Sequence, residues 1–224
     1  MKIAIVAGTT GLIGSQLIEL ILQDNYYDRV VTLSRKPLKI SNFKLARQSS
    51  LNAGGFQNLV VDFDKLQEFS GQMKGDDVFC CLGTTIKVAG SREAFRKVDH
   101  DYPVALASVT KSQGATQFLI VTAMGANKGS SIFYNRVKGE VQEDLMKIGF
   151  EVTHIFQPSM LRGPRLEKRS GEEIGQSVMR VLGFLIPKKY KIIESVKVAR
   201  AMLAIAKLRQ AGTKIHDSAK LQDY

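Results

Sequence analysis

Residues 3–14 read IAIVAGTTGLIG, a run of five apolar residues that leads straight into three glycines spaced three apart. The apolar run predicts a buried strand over 2–7, and the amphipathic stretch behind it predicts a helix over 12–23. Glycines permit a tight turn and the close approach of a pyrophosphate, which the free amide groups of a helix N-terminus attract. We therefore predict a dinucleotide-binding turn; the alternative is a strand–helix turn whose glycines serve packing alone. The predicted contact residues of the turn are Gly8, Thr10, Gly11, Leu12, Ile13 and Gly14.

The rest of the chain alternates apolar runs with amphipathic stretches, which is typical of a parallel sheet flanked by helices. We predict an α/β fold with a doubly wound, mostly parallel sheet and helices on both faces, in a single domain over 1–224. Residues 158–195 are predicted to form a lobe or lid on the substrate side, at the carboxyl ends of the strands. Further strands are predicted over 29–34, 58–61, 76–83, 117–122 and 151–156. Helices are predicted over 91–112, 131–148, 172–184 and 195–208, and a loop is predicted over 164–175. Pro103 should interrupt or restart the first of these helices. The second should be capped by Ser130 or Ser131 and end at Gly149, and the last should be capped by Ser195.

The end of the second predicted strand governs the choice of cofactor. A site for NAD(H) places an acid about 20 residues beyond the glycine turn, where it holds the ribose hydroxyls. This chain has Ser34, Arg35 and Lys36 there instead, and a guanidinium binds a 2′-phosphate through paired hydrogen bonds. NADP(H) is therefore predicted in preference to NAD(H). Asp62, behind the third strand, is placed either to meet the adenine amino group or to cap a helix, and the sequence leaves both open.

A tyrosine and a lysine four residues apart form the candidate catalytic pair. Tyr134 and Lys138 lie on the helix behind the fifth predicted strand, so both side chains share one helix face. An ammonium near a phenol favours the phenolate, and such a tyrosine can pass a proton to a carbonyl oxygen as hydride reaches the carbon. Thr122, at the end of that strand, could hold the same oxygen. The pair could also be surface decoration, but its place behind a strand of a nucleotide-binding sheet favours catalysis.

Four further blocks of sequence carry a resemblance to a known family. They are Val60-Val61-Asp62-Phe63-Asp64, Cys80-Cys81-Leu82-Gly83-Thr84-Thr85, Val98-Asp99-His100-Asp101-Tyr102 and Val137-Lys138-Gly139-Glu140-Val141. Over residues 3–205 the chain resembles an atypical short-chain dehydrogenase/reductase with an NAD(P)-binding Rossmann fold, and more narrowly the Tat-interacting-protein oxidoreductase family. The resemblance implies that Tyr134 donates or accepts the proton and that Lys138 also holds the nicotinamide ribose. Beyond the glycine turn, it implies cofactor contacts at Arg35, Lys36, Leu82, Gly83, Tyr134, Lys138 and Leu161.

Two functions follow from these residues. The first is an NADP(H)-dependent oxidoreductase that transfers hydride to or from a small carbonyl or alcohol. The second is a nucleotide-sensing regulatory protein with little turnover that acts through a protein partner. Departures from the family pattern motivate the second, because Asp99 stands where many relatives have Asn and Gln157 where many have Arg. If Ala123 rather than Thr122 occupies the hydroxyl position, the site lacks that hydroxyl. The sequence leaves the substrate, the reaction direction and homodimer formation open.

Composition and net charge indicate which partners and which compartment to expect for the protein. The net charge of +11, without aromatic residues interleaved for base stacking, favours a solvated basic surface over nucleic-acid binding. No apolar run is long enough to span a bilayer, and the first residues lack a signal-peptide cleavage pattern. Cys80 and Cys81 form no disulfide framework, and the three histidines show no metal-ligand spacing. We therefore expect a cytoplasmic protein with no integral membrane segment and no metal.

Overall fold

A parallel sheet forms the centre of the computed structural model, which describes residues 1–39, 41, 43, 55–163 and 187–224. The central strands are short and apolar because both faces of the sheet are covered. The strands are β1 (Ile3–Ala7), β2 (Arg29–Ser34), β3 (Phe56–Val60), β4 (Asp77–Cys80), β5 (Gln117–Val121), β6 (Val152–Gln157), β7 (Leu161–Arg162), β8 (Ile193–Glu194) and β9 (Gly212–Asp217). The helices are α1 (Gly14–Gln23), α2 (Ile86–Ala89), α3 (Arg92–Arg96), α4 (Tyr102–Ser112), α5 (Phe133–Ile148), α6 (Ser195–Leu208) and α7 (Ser218–Leu221), with 3₁₀ segments at Phe63–Gln72 and Lys188–Tyr190 and a π turn at Lys97–Asp101.

Seven strands form one sheet in the order β3-β2-β1-β4-β5-β6-β9, and every neighbouring pair is parallel. The chain runs outward from β1 to β3 and then crosses back to β4, so the strand order reverses between β1 and β4. In such sheets ligands bind outside the carboxyl ends of the strands at this point. The arrangement confirms the predicted α/β fold with its doubly wound sheet. β7 and β8 form a separate two-stranded sheet.

Helices pack on both faces of the sheet. On one face α1 and α6 meet the strands through residues such as Leu17 and Met202, and both side chains are fully buried. On the other face α4 and α5 contribute Leu106 and Val141 to a second apolar core. Each such side chain stabilises the fold by about 2 kcal/mol relative to an exposed one. In the part of the chain that the structure describes, no helix is long and apolar enough to cross a membrane.

The helical region predicted over 91–112 is divided in three, into α3, the π turn and α4. Pro103 lies in the first turn of α4, whose N-cap Asp101 is already helical and continues the π turn, so the proline removes a donor from a continuous helical segment. The predicted interruption therefore precedes the proline and takes the form of a π turn. Gly149 ends α5 in the left-handed region with φ of 75°, as predicted.

Two predicted helix caps are wrong. Ile132, rather than either predicted serine, is the N-cap of α5, and the Ser130 hydroxyl instead accepts from the Ile132 amide at 3.1 Å. Glu194 is the N-cap of α6 because Ser195 is already helical. The Ser195 hydroxyl donates to Oε1 of Gln16 at 3.0 Å. The Ser195 hydroxyl, which the local sequence predicts to cap α6, therefore makes a tertiary hydrogen bond to α1 instead.

The sequence did not predict β9, because its residues are mostly polar and exposed. The strand lies at the edge of the sheet and pairs in parallel with β6, so it needs few apolar side chains of its own. The loop predicted over 164–175 and the helix predicted over 172–184 lie outside the described residues, together with much of the predicted lobe over 158–195.

One buried carboxylate joins both ends of the chain to the sheet. Asp77, at the start of β4, is fully buried. It accepts from Nη1 of Arg209 at 2.7 Å and from the hydroxyl of Tyr27 at 2.7 Å. Nζ of Lys2 lies 3.4 Å from the same carboxylate. The residue pairs with cations from the first strand region and from the segment behind α6, which satisfies a charge that would otherwise be costly to bury.

Candidate active site

The glycine turn lies against the end of β4. Gly8 has φ of 85°, and a Cβ there would lie 2.5 Å from backbone atoms of Cys81. A Cβ on Gly14 would lie 2.1 Å from the carbonyl oxygen of Gly8. Packing alone therefore requires both glycines, as the structural alternative predicts. In addition, the amides of Ser15 and Gln16 in α1 donate to the carbonyl oxygens of Gly11 and Ile13, whereas those of Leu12 and Ile13 have no acceptor among the described residues. The amides that lead from the turn into α1 are therefore available to an anion.

A cleft opens at the carboxyl ends of β1, β4 and β5. Five separately predicted groups meet there: the glycine turn, the residues behind β4, the end of β5, the start of α5 and the residue that opens β7. Gly8 and Gly14 support the turn from behind and do not line the cleft. The lining residues are Thr10, Gly11, Leu12, Ile13, Cys81, Leu82, Gly83, Thr84, Thr85, Asp99, Val121, Thr122, Tyr134, Lys138 and Leu161.

Lys138 forms a buried ion pair in the wall of this cleft. Its Nζ lies 2.8 Å from Oδ1 of Asp99, and the two side chains are only 6% and 1% exposed. Oδ2 of Asp99 accepts from the amide of Thr84 at 2.8 Å. Burial lowers the pKa of Lys138, but the charges of Asp99 and Tyr134 raise it by more, and the net pKa lies above its ordinary value. The lysine is therefore cationic, and Asp99 balances its charge.

Tyr134 lies in the first turn of α5 and lines the same cleft as Lys138. Its ring packs against Phe95 with 5.4 Å between the ring centroids. The spacing of four residues places the two side chains on one helix face, as the sequence predicts. Phe95 therefore packs against the phenol ring on the helix face that Tyr134 shares with Lys138, at the edge of the sheet where the glycine turn lies.

Thr122 lines the cleft, but its hydroxyl already has two partners within the protein. It donates to the carbonyl oxygen of Phe156 at 3.2 Å and accepts from Nε2 of Gln142 at 2.8 Å. Nε2 of Gln157 donates in turn to Oε1 of Gln142 at 3.2 Å. A substrate oxygen that accepts from the Thr122 hydroxyl must therefore displace the carbonyl oxygen of Phe156 as its acceptor. Gln142 was not predicted from the sequence as a site residue, although its spacing of eight residues from Tyr134 places it on the same helix face.

A second concavity, at the ends of β2 and β3, contains the predicted phosphate-binding arginine. Arg35 and Lys36 are both exposed, and of the two Arg35 lines the concavity. Oδ1 of Asp62 accepts from the amide of Asp64 at 2.9 Å and so caps the 3₁₀ segment. This is one of the two roles that the sequence allowed for Asp62. The lining residues are Arg35, Val60, Val61, Asp62, Phe63 and Tyr102.

Asn58 shapes the turn that carries these cations, and the sequence analysis missed it. Its Nδ2 donates to Oγ of Ser34 at 2.9 Å, and its Oδ1 accepts from the amide of Leu38 at 2.9 Å. The Ser34 hydroxyl donates to the carbonyl oxygen of Lys36 at 2.6 Å. The turn is therefore held at both ends by one amide side chain on β3.

Comparison with known proteins identifies the class. Residues 8–162 match a family model described as NAD(P)H-binding, and the chain belongs to that family. A nicotinamide cofactor fits the glycine turn and the amide groups that lead from it into α1. More narrowly, the chain is similar to protein HTATIP2 of Rattus norvegicus, with 34% identity over 209 residues that cover 90% of this chain and 80% of that protein. It is also similar to protein FMP52, mitochondrial, of Candida albicans, with 29% identity over 180 residues that cover 80% of this chain and 74% of that protein.

Solved structures support the same fold. The UDP-N-acetylglucosamine 4-epimerase from Methanobrevibacter ruminantium M1 superimposes with a TM-score of 0.70 at 15% identity, covering 96% of this chain and 76% of that chain. At this identity the likeness shows the fold alone. Together with the family match, it confirms the resemblance to short-chain dehydrogenases/reductases that the sequence blocks carry.

The expected cytoplasmic location is wrong as a general statement. Several fungal relatives at 29% to 32% identity are named mitochondrial. The expectation rested on the unpaired Cys80 and Cys81, which are typical of reducing environments. They do not distinguish between reducing compartments, so they could not single out the cytoplasm.

Proposed function

We propose that the protein is an NADP(H)-dependent oxidoreductase that transfers hydride between its cofactor and a small carbonyl or alcohol, with Tyr134 as the proton donor or acceptor. One observation carries the proposal: the glycine turn, Tyr134, Lys138 and Thr122 belong to one cleft at the carboxyl edge of the sheet. A proton-transfer group, a fixed cation and a hydroxyl around one reacting position are what carbonyl reduction requires.

The residues proposed to hold the cofactor belong to the glycine turn, to the cleft and to the second concavity with its neighbouring turn. The pyrophosphate would lie at the turn and the start of α1, where amide groups attract anions. Leu82 and Gly83, behind β4, would contact the cofactor, and Leu161 would contact its nicotinamide end. Arg35 with Lys36 would bind the 2′-phosphate. Asp62 would reach the adenine from its capping position. When bound, the nicotinamide supplies or accepts the hydride.

The chain's own residues would control the proton. The phenol of Tyr134 would donate to the substrate oxygen, and the cation of Lys138 beside it would stabilise the phenolate that remains. The Asp99 carboxylate at 2.8 Å fixes the lysine and reduces its net field at the phenol. Thr122 would bind the same substrate oxygen after giving up Phe156 as its acceptor.

Turnover of NADPH with a panel of aldehydes and ketones tests the reaction, with Tyr134→Phe as the decisive variant. We expect kcat to fall by about 10²- to 10⁴-fold while the Kd for NADPH changes far less, because the ring and its packing on Phe95 are kept and only one hydroxyl contact is lost. Tyr224→Phe is the matched control, because Tyr224 is an exposed tyrosine that lies outside the predicted substrate-side lobe. Full turnover in Tyr134→Phe would show that another group moves the proton.

The cofactor preference has its own test. Replacing Arg35 and Lys36 by Ala should weaken NADPH binding by about 10- to 100-fold, the value of one or two charge-assisted contacts. NADH binding should be unchanged. Lys74→Ala, which removes an exposed cation elsewhere, is the control. Equal weakening of both cofactors would assign the two residues to something other than the 2′-phosphate.

A second candidate function is a nucleotide-sensing protein that acts through a protein partner. Two features of the cleft favour this function. Asp99 balances the charge of Lys138, and the hydroxyl of Thr122 donates its hydrogen bond to the carbonyl oxygen of Phe156. Both would reduce catalytic power without preventing cofactor binding. Tight NADPH binding without turnover on any carbonyl would favour this function over the first.

A further inference from the structure

Four exposed apolar side chains lie close in sequence to residues that line the cleft, in the segments that follow β4, β5 and β6 and in the segment before α5. They are Ile86 (38% exposed), Met124 (37%), Ile132 (60%) and Met160 (54%), which we call the entrance cluster. Each lies within two residues of a residue that lines the cleft, and each comes from a different segment of the chain. Single exposed apolar residues are ordinary on a protein surface, whereas several at one concave site indicate a binding surface.

Hydrogen bonds fix the backbone at two members of the cluster. The amide of Met124 donates to the carbonyl oxygen of Pro158 at 2.9 Å, which joins the segments behind β5 and β6. The carbonyl oxygen of Met160 accepts from the amide of Ile193 at 2.9 Å. Their exposure is therefore a property of ordered segments, and methionine side chains adapt to varied apolar ligands.

The described residues that line the cleft offer no unbalanced charge. Among them only Asp99 and Lys138 are ionised, and they neutralise each other at 2.8 Å. A carboxylate or phosphate on the reacting part of a ligand would find no free cation among these described residues and would lose its hydration on entry. The interior therefore suits a neutral group, and the entrance suits hydrocarbon.

We propose that the substrate is an uncharged aldehyde or ketone of medium chain length, whose hydrocarbon part lies against the entrance cluster while its carbonyl meets Tyr134. The carbonyl carbon gains the hydride, its π electron pair moves to oxygen, and that oxygen gains the proton of Tyr134. The substrate is thus reduced by two electrons while the nicotinamide is oxidised. The carbonyl step rests on the proposed function, whereas the apolar contact stands on the entrance cluster alone.

A series of straight-chain aldehydes of four to ten carbons tests the proposal. We expect kcat/KM with NADPH to rise by about threefold to fourfold for each methylene that reaches the cluster, and a terminal carboxylate to remove the gain. Ile132→Gln and Met160→Gln should flatten the series. Leu208→Gln and Met146→Gln are matched controls, because these side chains are 60% and 43% exposed near the ends of α6 and α5, at the other edge of the sheet.

A binding experiment separates this proposal from the proposed function. With NADP⁺ present, calorimetric titration with uncharged alkyl amides of the same lengths measures the apolar contact without turnover. Affinity that rises with chain length in the wild type and falls in Met160→Gln supports the entrance cluster even if no carbonyl is reduced. Turnover and binding that ignore chain length, or equal effects of test and control variants, would overturn it. Self-association that Met160→Gln abolishes and the amides do not oppose would assign the cluster to a second copy instead.

Discussion

Replacing Asp99 by Asn removes one charge from the wall of the cleft and keeps the shape of the side chain. The amide oxygen can still accept from Thr84, but the amide nitrogen, a donor, then faces the ammonium of Lys138. Lys138 would keep its cation in a site where it is only 6% exposed, without the carboxylate 2.8 Å away. The Coulomb attraction at that distance is about 6 kcal/mol for an effective dielectric constant near 20, but desolvation offsets much of it. Removing one partner of a buried pair costs about 3–5 kcal/mol.

Asp99→Asn should therefore lower the free energy of unfolding by about that amount and the unfolding temperature by about 6–20 °C. Urea and thermal unfolding measure both. Asp64→Asn, which breaks the exposed pair with Lys97, is the control and should have a much smaller effect. Lys138→Met alone should also destabilise the fold, whereas Asp99→Leu combined with it should recover most of the loss. Equal effects of Asp99→Asn and Asp64→Asn, or no recovery in the double variant, would refute the reasoning.

Gly139→Ala should lower the unfolding temperature, because a Cβ there would lie 2.1 Å from the backbone of the preceding loop. Gly71→Ala is a neutral control, because a Cβ there would have nothing within 4 Å. A Gly139→Ala protein that is more stable than the wild type would contradict this packing. Burial and the neighbouring His216 lower the pKa of His154 from 6.5 to about 4, so the unfolded chain binds a proton that the folded chain does not. The free energy of unfolding should fall by about 3 kcal/mol as pH drops from 6.5 to 4, and urea titrations at several pH values should show a weaker dependence in His154→Leu. Asn58→Ala, which frees the turn behind β2, should raise the Kd for NADPH about tenfold in fluorescence titrations, and an equal loss for NADH would argue against a role in phosphate binding.

The central sheet could be predicted because local sequence alone determines much of it. β5 is buried at every position, and such a continuous apolar strand indicates a sheet covered on both faces. The glycine turn likewise lies within one short stretch, so strand, turn and helix can be recognised together. The edge strand β9 could not be predicted, because its pairing with β6 rests on backbone hydrogen bonds that its polar side chains do not encode.

The candidate site was predicted as a set of residues but not as a network. Tyr134 and Lys138 share a helix, so their proximity follows from the helical period. The partners of Thr122, in contrast, come from residues 20 and 34 positions away, and only the packing of α5 and β6 against β5 brings them together. Asp99 stood out in the sequence as a departure from Asn, but that it lies against Lys138 depends on the π turn that carries it.

The carboxylate of Asp77 has a consequence for how the chain can be divided. The family match ends at residue 162, and a fragment cut there would keep the glycine turn, Tyr134 and Lys138. It would lack Arg209, which donates to Asp77 at 2.7 Å, and would leave a fully buried anion with a single lysine at 3.4 Å. We propose that residues 1–224 fold as one unit for this reason. A cation that pairs with the buried Asp77 of the nucleotide-binding half comes from the last sixteen residues. Removing that end of the chain would therefore destabilise the half that contains the candidate active site.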